Sequence, residues 1–89
     1  FNEEKDILLR QSRGIGFVEI IEAINSGKLI VNVNHFNQKR YPKQKIFIVE
    51  IKGYAYAVPY VIDKKRKVKF LKTLYANKKL TKKYIKQVK

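Results

Sequence analysis

The first segment of the chain has a polar start and a glycine-rich end that predict a helix. Asn2 is followed by Glu3 and Glu4. An Asn side chain caps free backbone N–H groups, and acidic residues stabilise the positive end of the helix dipole. The helix is expected to end near Gly14. The segment Gly14 to Gly16 lacks the preceding strand and the Lys-Ser/Thr pair of a phosphate loop, so it indicates a turn between helices.

A second helix is indicated by the spacing of apolar residues after this turn. Phe17, Ile20, Ile21 and Ile24 recur at intervals of three and four, which places them on one helical face. Glu19 and Glu22 are expected to point away from that face, and Gly27 is expected to end the helix.

The middle of the chain is rich in β-branched and aromatic residues and predicts an antiparallel sheet. The predicted strands are Lys28 to Asn34, Lys45 to Ile51, Tyr54 to Ile62 and Lys67 to Leu74. Lys52 and Gly53 form a short hairpin turn between the second and third strands. Pro59 cannot donate a ladder hydrogen bond, which indicates a bulge or a sheet edge. Tyr54, Tyr56 and Tyr60 share one strand face and are expected to cover the sheet or enter the core.

The last segment predicts a helix capped by Asn77, with an apolar stripe of Leu80, Tyr84 and Val88. The predicted order is α-α-β-β-β-β-α. This is an α+β fold with a small four-stranded antiparallel sheet, two N-terminal helices and a C-terminal helix. A chain of 89 residues is expected to form one domain, residues 1–89.

Charge narrows the possible partners. The formal net charge is +14, more than solubility requires, and it predicts a polyanionic partner, nucleic acid before an acidic protein. The segment Lys64 to Lys89 contains twelve Lys or Arg residues and no acid.

The chain has no Cys and one His, so we expect no disulfide, no metal site, no cofactor and a cytoplasmic location. No apolar run approaches the about 20 residues of a membrane span, so no membrane partner is expected.

The loop Asn34 to Lys45 carries the residues that could cleave RNA without metal. A 2′-hydroxyl can attack the neighbouring phosphate if a group takes its proton and cations hold the phosphate. His35 is the candidate acid or base, and Arg40, Lys72 and Lys78 are the candidate phosphate ligands. The remaining candidate RNA-binding residues are Phe36, Tyr41 and Tyr84, which can stack on bases, and Lys43, Lys79, Lys82 and Lys83.

Each of these residues also has a structural interpretation. A single His beside a strand end can be a hydrogen-bonded or solvated residue. Lys72 shares strand alternation with Val68 and Phe70, so it is expected on an apolar face, where it occupies a groove or extends its ammonium group to water. The C-terminal lysines can be a solvated helix face.

Three stretches resemble the BrnT-like toxins of bacterial type II toxin–antitoxin modules, which are relatives of the RelE superfamily. They are "GIGF" with "EII" at 14–21, "HFNQKRYPKQ" at 35–44, and "FLKT" with the following basic run at 70–84. The resemblance spans nearly the whole chain. It implies a RelE-like sheet with flanking helices, metal-independent endoribonuclease activity and a small cognate antitoxin in a hetero-oligomer. Lys78 stands where the family usually has Arg, so a bidentate phosphate contact becomes a point charge.

Two function classes therefore compete. The first is a toxin ribonuclease that cleaves mRNA, free or on the ribosome, and inhibits translation. The alternative is a non-catalytic RNA-binding or ribosome-associated module that uses the same cationic face. A DNA-binding component of the module is less favoured, because no recognition helix with base-reading side chains is evident.

Overall fold

The computed structural model describes residues 1–85, which form three helices and an antiparallel sheet. The elements follow in the order α1–α2–β1–β2–β3–β4–β5–α3. Their bounds are α1 Glu3–Arg13, α2 Phe17–Asn25, β1 Leu29–Asn34, β2 Lys45–Ile51, β3 Tyr54–Asp63, β4 Val68–Leu71, β5 Tyr75–Ala76 and α3 Lys78–Tyr84. The predicted α+β class is confirmed, with one strand more than expected.

The ends of α1 lie where the capping residues predict. The Asn2 side chain accepts hydrogen bonds from the backbone N–H groups of Glu4 and Lys5, at 2.8 and 3.2 Å. Gly14 ends the helix in the left-handed conformation, with φ of 79°. This conformation is strained for residues with a Cβ atom, which explains a glycine at this position.

Acidic and basic side chains at the corner between α1 and α2 form a network of hydrogen bonds and ion pairs that joins the two helices. The Asp6 carboxylate accepts a hydrogen bond from the Phe17 N–H at 2.6 Å, and the Glu19 carboxylate accepts one from the Gly16 N–H at 2.9 Å. Arg10 donates to both carboxylates, at 3.1 Å to Asp6 and 2.9 Å to Glu19. Glu19 lies off the buried face of α2, as expected, but it is not simply solvated, because it caps α2 and pairs with Arg10 of α1.

These contacts change the acidity of the two carboxyl groups. The Phe17 N–H, with a smaller contribution from Arg10, lowers the pKa of Asp6. The Gly16 N–H, again assisted by Arg10, lowers the pKa of Glu19. A Cβ atom at Gly16 would clash with the Asp6 carboxylate. A side chain at residue 16 would therefore have to displace the Asp6 carboxylate from its hydrogen bond with the Phe17 N–H.

The sheet is a meander in which strands adjacent in sequence are also adjacent in space. The order is β1-β2-β3-β4, and β5 pairs with β3 on the side that also carries β4. Lys52 and Gly53 both have positive φ, 53° and 80°, as a two-residue hairpin turn of type I′ requires. The predicted turn is thus confirmed.

The predicted fourth strand, Lys67 to Leu74, is shorter than expected and is followed by a short strand that was not predicted. The strand β4 ends at Leu71, residues 72–74 leave the sheet, and β5 resumes the pairing with β3. Pro59 lies opposite this break, inside β3, where its carbonyl accepts a hydrogen bond from the Lys72 N–H at 2.8 Å. The edge expected at Pro59 is present locally, because neither β4 nor β5 pairs with this residue. A central strand accommodates this proline because the neighbouring strand is interrupted where an N–H donor is missing.

Both faces of the sheet are covered, so the fold has three layers. The helices α1 and α2 pack on one face, and α3 packs on the other. The first core contains Leu9, Phe17, Ile20, Phe47, Val49, Val58, Tyr60, Leu71 and Leu74. The second core contains Ile46, Ile48, Ala55, Ala57 and Leu80. The Tyr60 hydroxyl donates to the Asn32 side chain at 2.8 Å, while Tyr54 at the strand end is 41% exposed.

The helix α3 is attached to β3 by polar contacts as well as apolar packing. Asn77 caps it by accepting a hydrogen bond from the Leu80 N–H at 3.0 Å. The buried Thr81 hydroxyl accepts one from the Ala55 N–H at 2.9 Å. The predicted stripe holds for the buried Leu80 and for Tyr84, which packs against the second core. Val88 lies outside the described residues.

Candidate nucleic-acid interface

A groove on the α3 side of the sheet brings together several of the predicted residues. We call it the central groove; its volume is about 380 Å³, near the lower end for small-ligand sites. It is lined by Lys5, His35, Tyr41, Gln44, Pro59, Lys72, Thr73 and Tyr75. Pro59 lies opposite Ile46 and Tyr75 opposite Ala57, two residues of the second core, which fixes the side of the sheet.

The loop between β1 and β2 forms one wall of the central groove and is folded by its own hydrogen bonds. The His35 N–H donates to the Gln44 carbonyl at 3.1 Å and closes the loop base. The Tyr41 N–H donates to the Asn37 carbonyl at 2.9 Å. The Asn37 side chain accepts from the Arg40 N–H at 3.1 Å. The loop therefore places His35 and Tyr41 at fixed positions on the groove.

The hydrogen bonds of His35 decide which ring nitrogen carries the proton. Its Nδ1 accepts a hydrogen bond from the Asn37 N–H at 3.0 Å. A backbone N–H can only donate, so the neutral ring carries its proton on Nε2. The Tyr41 ring packs against the imidazole, with centroids 4.5 Å apart. His35 is thus a positioned hydrogen-bond donor in this arrangement.

Lys72 lies just after β4 and extends beside the opposite wall. Val68 and Phe70 share its side of the sheet, as the alternation predicts, and the Lys72 ammonium lies 5.5 Å from the centre of the Phe70 ring. This side is less apolar in practice than the sequence indicates, because Val68 is 49% exposed and Lys72 is exposed too. The ammonium group is therefore available to a ligand in the groove.

Several groove residues were not indicated by the sequence. Tyr75 is partly buried against the second core, and burial raises the pKa of its phenol. The phenol therefore stays protonated and can donate a hydrogen bond near neutral pH. Lys5 comes from α1, more than 60 residues before Lys72 in the chain. Strand alternation would place Tyr75 on the opposite face from Lys72, because the two residues are three positions apart, and no local pattern indicates Lys5.

Other candidate residues of the loop lie outside the central groove. The Arg40 guanidinium lies 5.5 Å from the centre of the Tyr41 ring. Phe36 is 57% exposed, with its ring centroid 6.4 Å from that of His35. Lys43 lines a second groove, the turn groove, formed with the tip of the β3–β4 hairpin. Its lining residues are Lys43, Ile62, Asp63, Lys64 and Lys65.

The structure does not bring Lys78 to the central groove. Lys78 and Lys82 line a third groove with Tyr54 and Thr81, which we call the helix groove. The backbone of Lys72 is bonded to Pro59, whereas Asn77, next to Lys78, is bonded to Ala55 at 3.0 Å. Four residues along a strand span roughly 13 Å, so the backbone anchors of the two lysines are well separated along β3.

The remaining candidates lie on α3. Lys79 is exposed on the helix surface. The Lys83 ammonium lies 5.2 Å from the centre of the Tyr84 ring, and that ring packs against the second core. Tyr84 therefore contributes to the attachment of α3, which leaves only part of its surface for a base.

The electrostatics of the central groove are one-sided. None of its lining residues is acidic. Among residues 1–85, the ion pairs join Arg10 to Asp6 and Glu19, and Arg66 to Asp63 at 3.9 Å. The groove thus presents Lys5, Lys72 and hydrogen-bond donors to solvent, an arrangement that favours an anion such as phosphate.

Within the described part of the chain, no three His, Asp or Glu side chains are grouped so that they could hold a metal ion. The helices in the same range are too short or too polar to cross a membrane.

Comparison of the chain with protein-family models, with curated proteins and with solved structures found no match.

Proposed function

We propose that the protein is a metal-independent endoribonuclease of the BrnT-like, RelE-related type. It acts as the toxin of a bacterial type II toxin–antitoxin module in the cytoplasm, cleaves mRNA and inhibits translation until a cognate antitoxin binds it. The observation that carries the proposal is the central groove, in which His35, Tyr41 and Lys72 meet without any acidic residue. This combination suits a phosphate flanked by unpaired bases.

Phosphate binding is the first step. Lys72 and Lys5 supply positive charge from two walls of the groove. The Tyr75 and Thr73 hydroxyls and the Gln44 amide can donate hydrogen bonds to the remaining phosphate oxygens. The groove contains no carboxylate that would repel the phosphate. We therefore expect the RNA backbone to bind at this groove first.

Cleavage follows when the 2′-oxygen attacks the adjacent phosphorus. The bond from phosphorus to the 5′-oxygen breaks, which leaves a 2′,3′-cyclic phosphate and a free 5′-hydroxyl. The attacking hydroxyl loses its proton to solvent, and the leaving 5′-oxygen takes a proton from solvent. The groove contributes chiefly by stabilising the charge that builds up on the phosphoryl oxygens, through Lys72, Lys5 and the Nε2–H group of His35.

The aromatic residues of the loop hold the neighbouring bases. The Tyr41 ring is positioned by its neighbours, with the His35 ring centroid 4.5 Å and the Arg40 guanidinium 5.5 Å from its centre, and its remaining surface can stack on a base. The exposed Phe36 extends this surface. The lysines outside the groove, Lys43, Lys79, Lys82 and Lys83, then contact flanking phosphates and contribute affinity without sequence preference.

One observation favours the runner-up, a non-catalytic RNA-binding module. The Nδ1 atom of His35 is already occupied by the Asn37 N–H, and the groove has no carboxylate to serve as general base. A groove with cations, stacking rings and no base can bind RNA without cleaving it. The two candidate functions therefore differ in chemistry and share the binding surface.

The deciding experiment is a cleavage assay on a 5′-labelled RNA in the presence of a chelator. We expect fragments that end in a 2′,3′-cyclic phosphate, and no cleavage where the attacking 2′-hydroxyl is replaced by hydrogen. The Lys28→Ala variant, which removes one exposed charge outside the grooves, is the control. Tight RNA binding without fragments would select the runner-up, and absence of binding would reject both.

The toxin assignment has its own test in cells. Expression of the protein alone in a bacterial host is expected to degrade RNA and arrest growth, and co-expression with a small acidic protein from the neighbouring gene is expected to restore growth. Normal growth with intact RNA, at a protein level confirmed by immunoblot, would argue against a toxin.

A further inference from the structure

A cleft on the α1/α2 side of the sheet is lined mainly by apolar side chains. We call it the apolar cleft; its volume is about 280 Å³. Its floor is formed by Phe47 and Leu71, two residues of the first core that are each 6% exposed. Its wall is formed by Ile21 and Ile24 of α2. Because Ile21 is 39% exposed, one copy of the chain leaves an apolar side of α2 in water.

A stripe of exposed residues on α2 runs along the edge of the apolar cleft. Val18, Ile21, Glu22 and Asn25 recur at positions i, i+3, i+4 and i+7, so they lie on one side of the helix. All four are exposed. Ile21 is also the middle residue of the nine-residue helix. A second α2 in antiparallel orientation can therefore face this stripe along its whole length.

The apolar cleft and the stripe carry opposite charges. Lys69 lines the cleft, with its ammonium 5.6 Å from the centre of the Phe47 ring, and Glu22 follows Ile21 on the stripe. Among residues 1–85, none of the ion pairs includes Lys69 or Glu22. One surface thus offers an apolar ridge with an apolar cleft, and an anion with a cation. An interface between identical copies about a twofold axis requires this kind of self-complementarity.

The distribution of charge along the chain favours a second copy over other occupants. Residues 1–22 contain five of the seven acids and three of the 21 basic residues. Two copies that meet through α1 and α2 keep their lysine-rich surfaces apart, which reduces the repulsion between them. A nucleic acid or an acidic protein is a poorer occupant, because Lys69 is the one charged residue that lines the cleft.

We infer that a second copy of this chain docks in the apolar cleft, about a twofold axis that passes beside Ile21. Ile21 of each copy enters the cleft of the other, and Glu22 of each copy pairs with Lys69 of the other. The interface lies on the α1/α2 side of the sheet, so it leaves the central groove on the α3 side open. The inference goes beyond the proposed function and does not depend on it.

The test is sedimentation equilibrium of the protein after removal of nucleic acid, because a polyanion could link copies of a chain with a net charge of +14. The mass should rise with concentration from 10.5 kDa to twice that value. The dissociation constant should lie at about 1–100 µM, as for small interfaces. Ile21→Lys should raise it by roughly 10²-fold, because it places a charge in both clefts. Ile7→Lys makes the same change at an exposed isoleucine outside the cleft and should leave it unchanged.

Charge reversal tests the predicted ion pair. Lys69→Glu and Glu22→Lys each place like charges opposite one another twice in the dimer, and each should raise the dissociation constant by about fivefold or more. The double variant has opposite charges again and the net charge of the parent, so it should recover the parent value within about threefold. General repulsion makes the reverse prediction for Lys69→Glu, which lowers the net charge by two and would then tighten the dimer. Melting temperatures show that each variant is folded.

Several results would overturn the inference. A monomer mass up to about 1 mM protein would exclude a dimer of useful affinity. Dimerisation of Ile21→Lys as in the parent, or equal dissociation by Ile7→Lys, would place the contact elsewhere. A tighter dimer for Lys69→Glu would exclude the ion pair. Masses that keep rising beyond the dimer would indicate a head-to-tail contact instead of a twofold axis. None of these results bears on RNA binding, so the proposed function is judged separately.

Discussion

The α1–α2 corner and the central groove use charged residues in opposite ways. At the corner, Arg10 lies between Asp6 and Glu19, and both carboxylates also accept backbone hydrogen bonds. In the groove, Lys5 and Lys72 face solvent without an acidic lining residue. Paired charges stabilise a fold, whereas like charges gathered on one surface reduce its stability. The charges of the groove therefore do not serve stability, and we infer that they serve the binding of an anionic ligand.

Lys5 and Asp6 are adjacent in α1, yet they belong to different regions of these two. Asp6 holds the start of α2, and Lys5 lines the central groove. The comparison thus predicts that changes in the groove alter activity at constant stability, and that changes in the corner do the reverse.

The largest effect is expected for Lys72→Ala. Loss of one charge partner of the phosphoryl oxygens should lower the cleavage rate by roughly 10²-fold or more. The melting temperature should stay close to that of the parent, because the Lys72 side chain is exposed. Single-turnover cleavage and thermal denaturation measure the two quantities, with Lys28→Ala as the charge-matched control. A rate within threefold of the parent would show that the groove is not the active site.

The next effect concerns the ring of His35. If its Nε2–H group donates to the phosphate, His35→Ala should lower the cleavage rate by about 10- to 10²-fold. His35→Gln replaces the Nε2 donor with an amide donor and should recover most of that loss. Rates are measured over a range of pH. If His35→Gln is as slow as His35→Ala and the pH profile changes shape, the ring transfers a proton instead.

At the corner, Asp6→Ala should affect stability rather than cleavage. It removes a carboxylate that caps α2 from outside, and loss of a helix cap should lower the melting temperature by roughly 5–10 °C. Cleavage per folded molecule should be unchanged. The Glu3→Ala variant, which removes an exposed acid from the same helix, is the control, and an equal loss there would show that general charge is responsible.

The same variant gives a pH dependence with a defined sign. The pKa of Asp6 is lowered in the fold, chiefly by the Phe17 N–H. Its contribution to stability is therefore fully present above the unfolded value of about 3.9, and it is lost as pH falls through the lower folded value. The difference in melting temperature between parent and Asp6→Ala should shrink over that range. A constant difference would show that the carboxylate charge is not involved.

The smallest effect is expected for Lys78→Ala. Lys78 lines the helix groove, roughly 13 Å along β3 from the anchor of Lys72. It should contribute to binding of the ground state and transition state alike, so its removal should raise KM about threefold to fivefold with little change in kcat. Steady-state kinetics measure both. A fall in kcat as large as that of Lys72→Ala would return Lys78 to the catalytic group that the sequence predicts.

Local signals explain which parts of the fold could be predicted. Asn2, Gly14 and Asn77 mark helix ends through contacts within a few residues, and the predicted ends are confirmed. The two-residue strand β5 is too short to produce a periodic pattern. The place of Pro59 depends on a break in another strand, which a sequence pattern does not contain.

In the candidate site, too, local sequence signals predict some residues and miss others. His35 and Tyr41 belong to one loop, so their proximity could be expected, and alternation placed Lys72 on the correct side of the sheet. Periodicity assigns a helical residue to a face but does not name its partner. For that reason it predicted neither the pairing of Glu19 with Arg10 nor the arrival of Lys5 at the groove.

The meander order of the strands has a consequence for how the protein folds. Each strand from β2 to β4 pairs with the strand that precedes it in the chain, so each of these pairings closes a short loop at a small entropic cost. The central groove is different, because it needs α1, the loop after β1 and residues 72–75 together. A chain still under synthesis that ends just before Tyr75 contains the four strands β1 to β4 but lacks a complete groove.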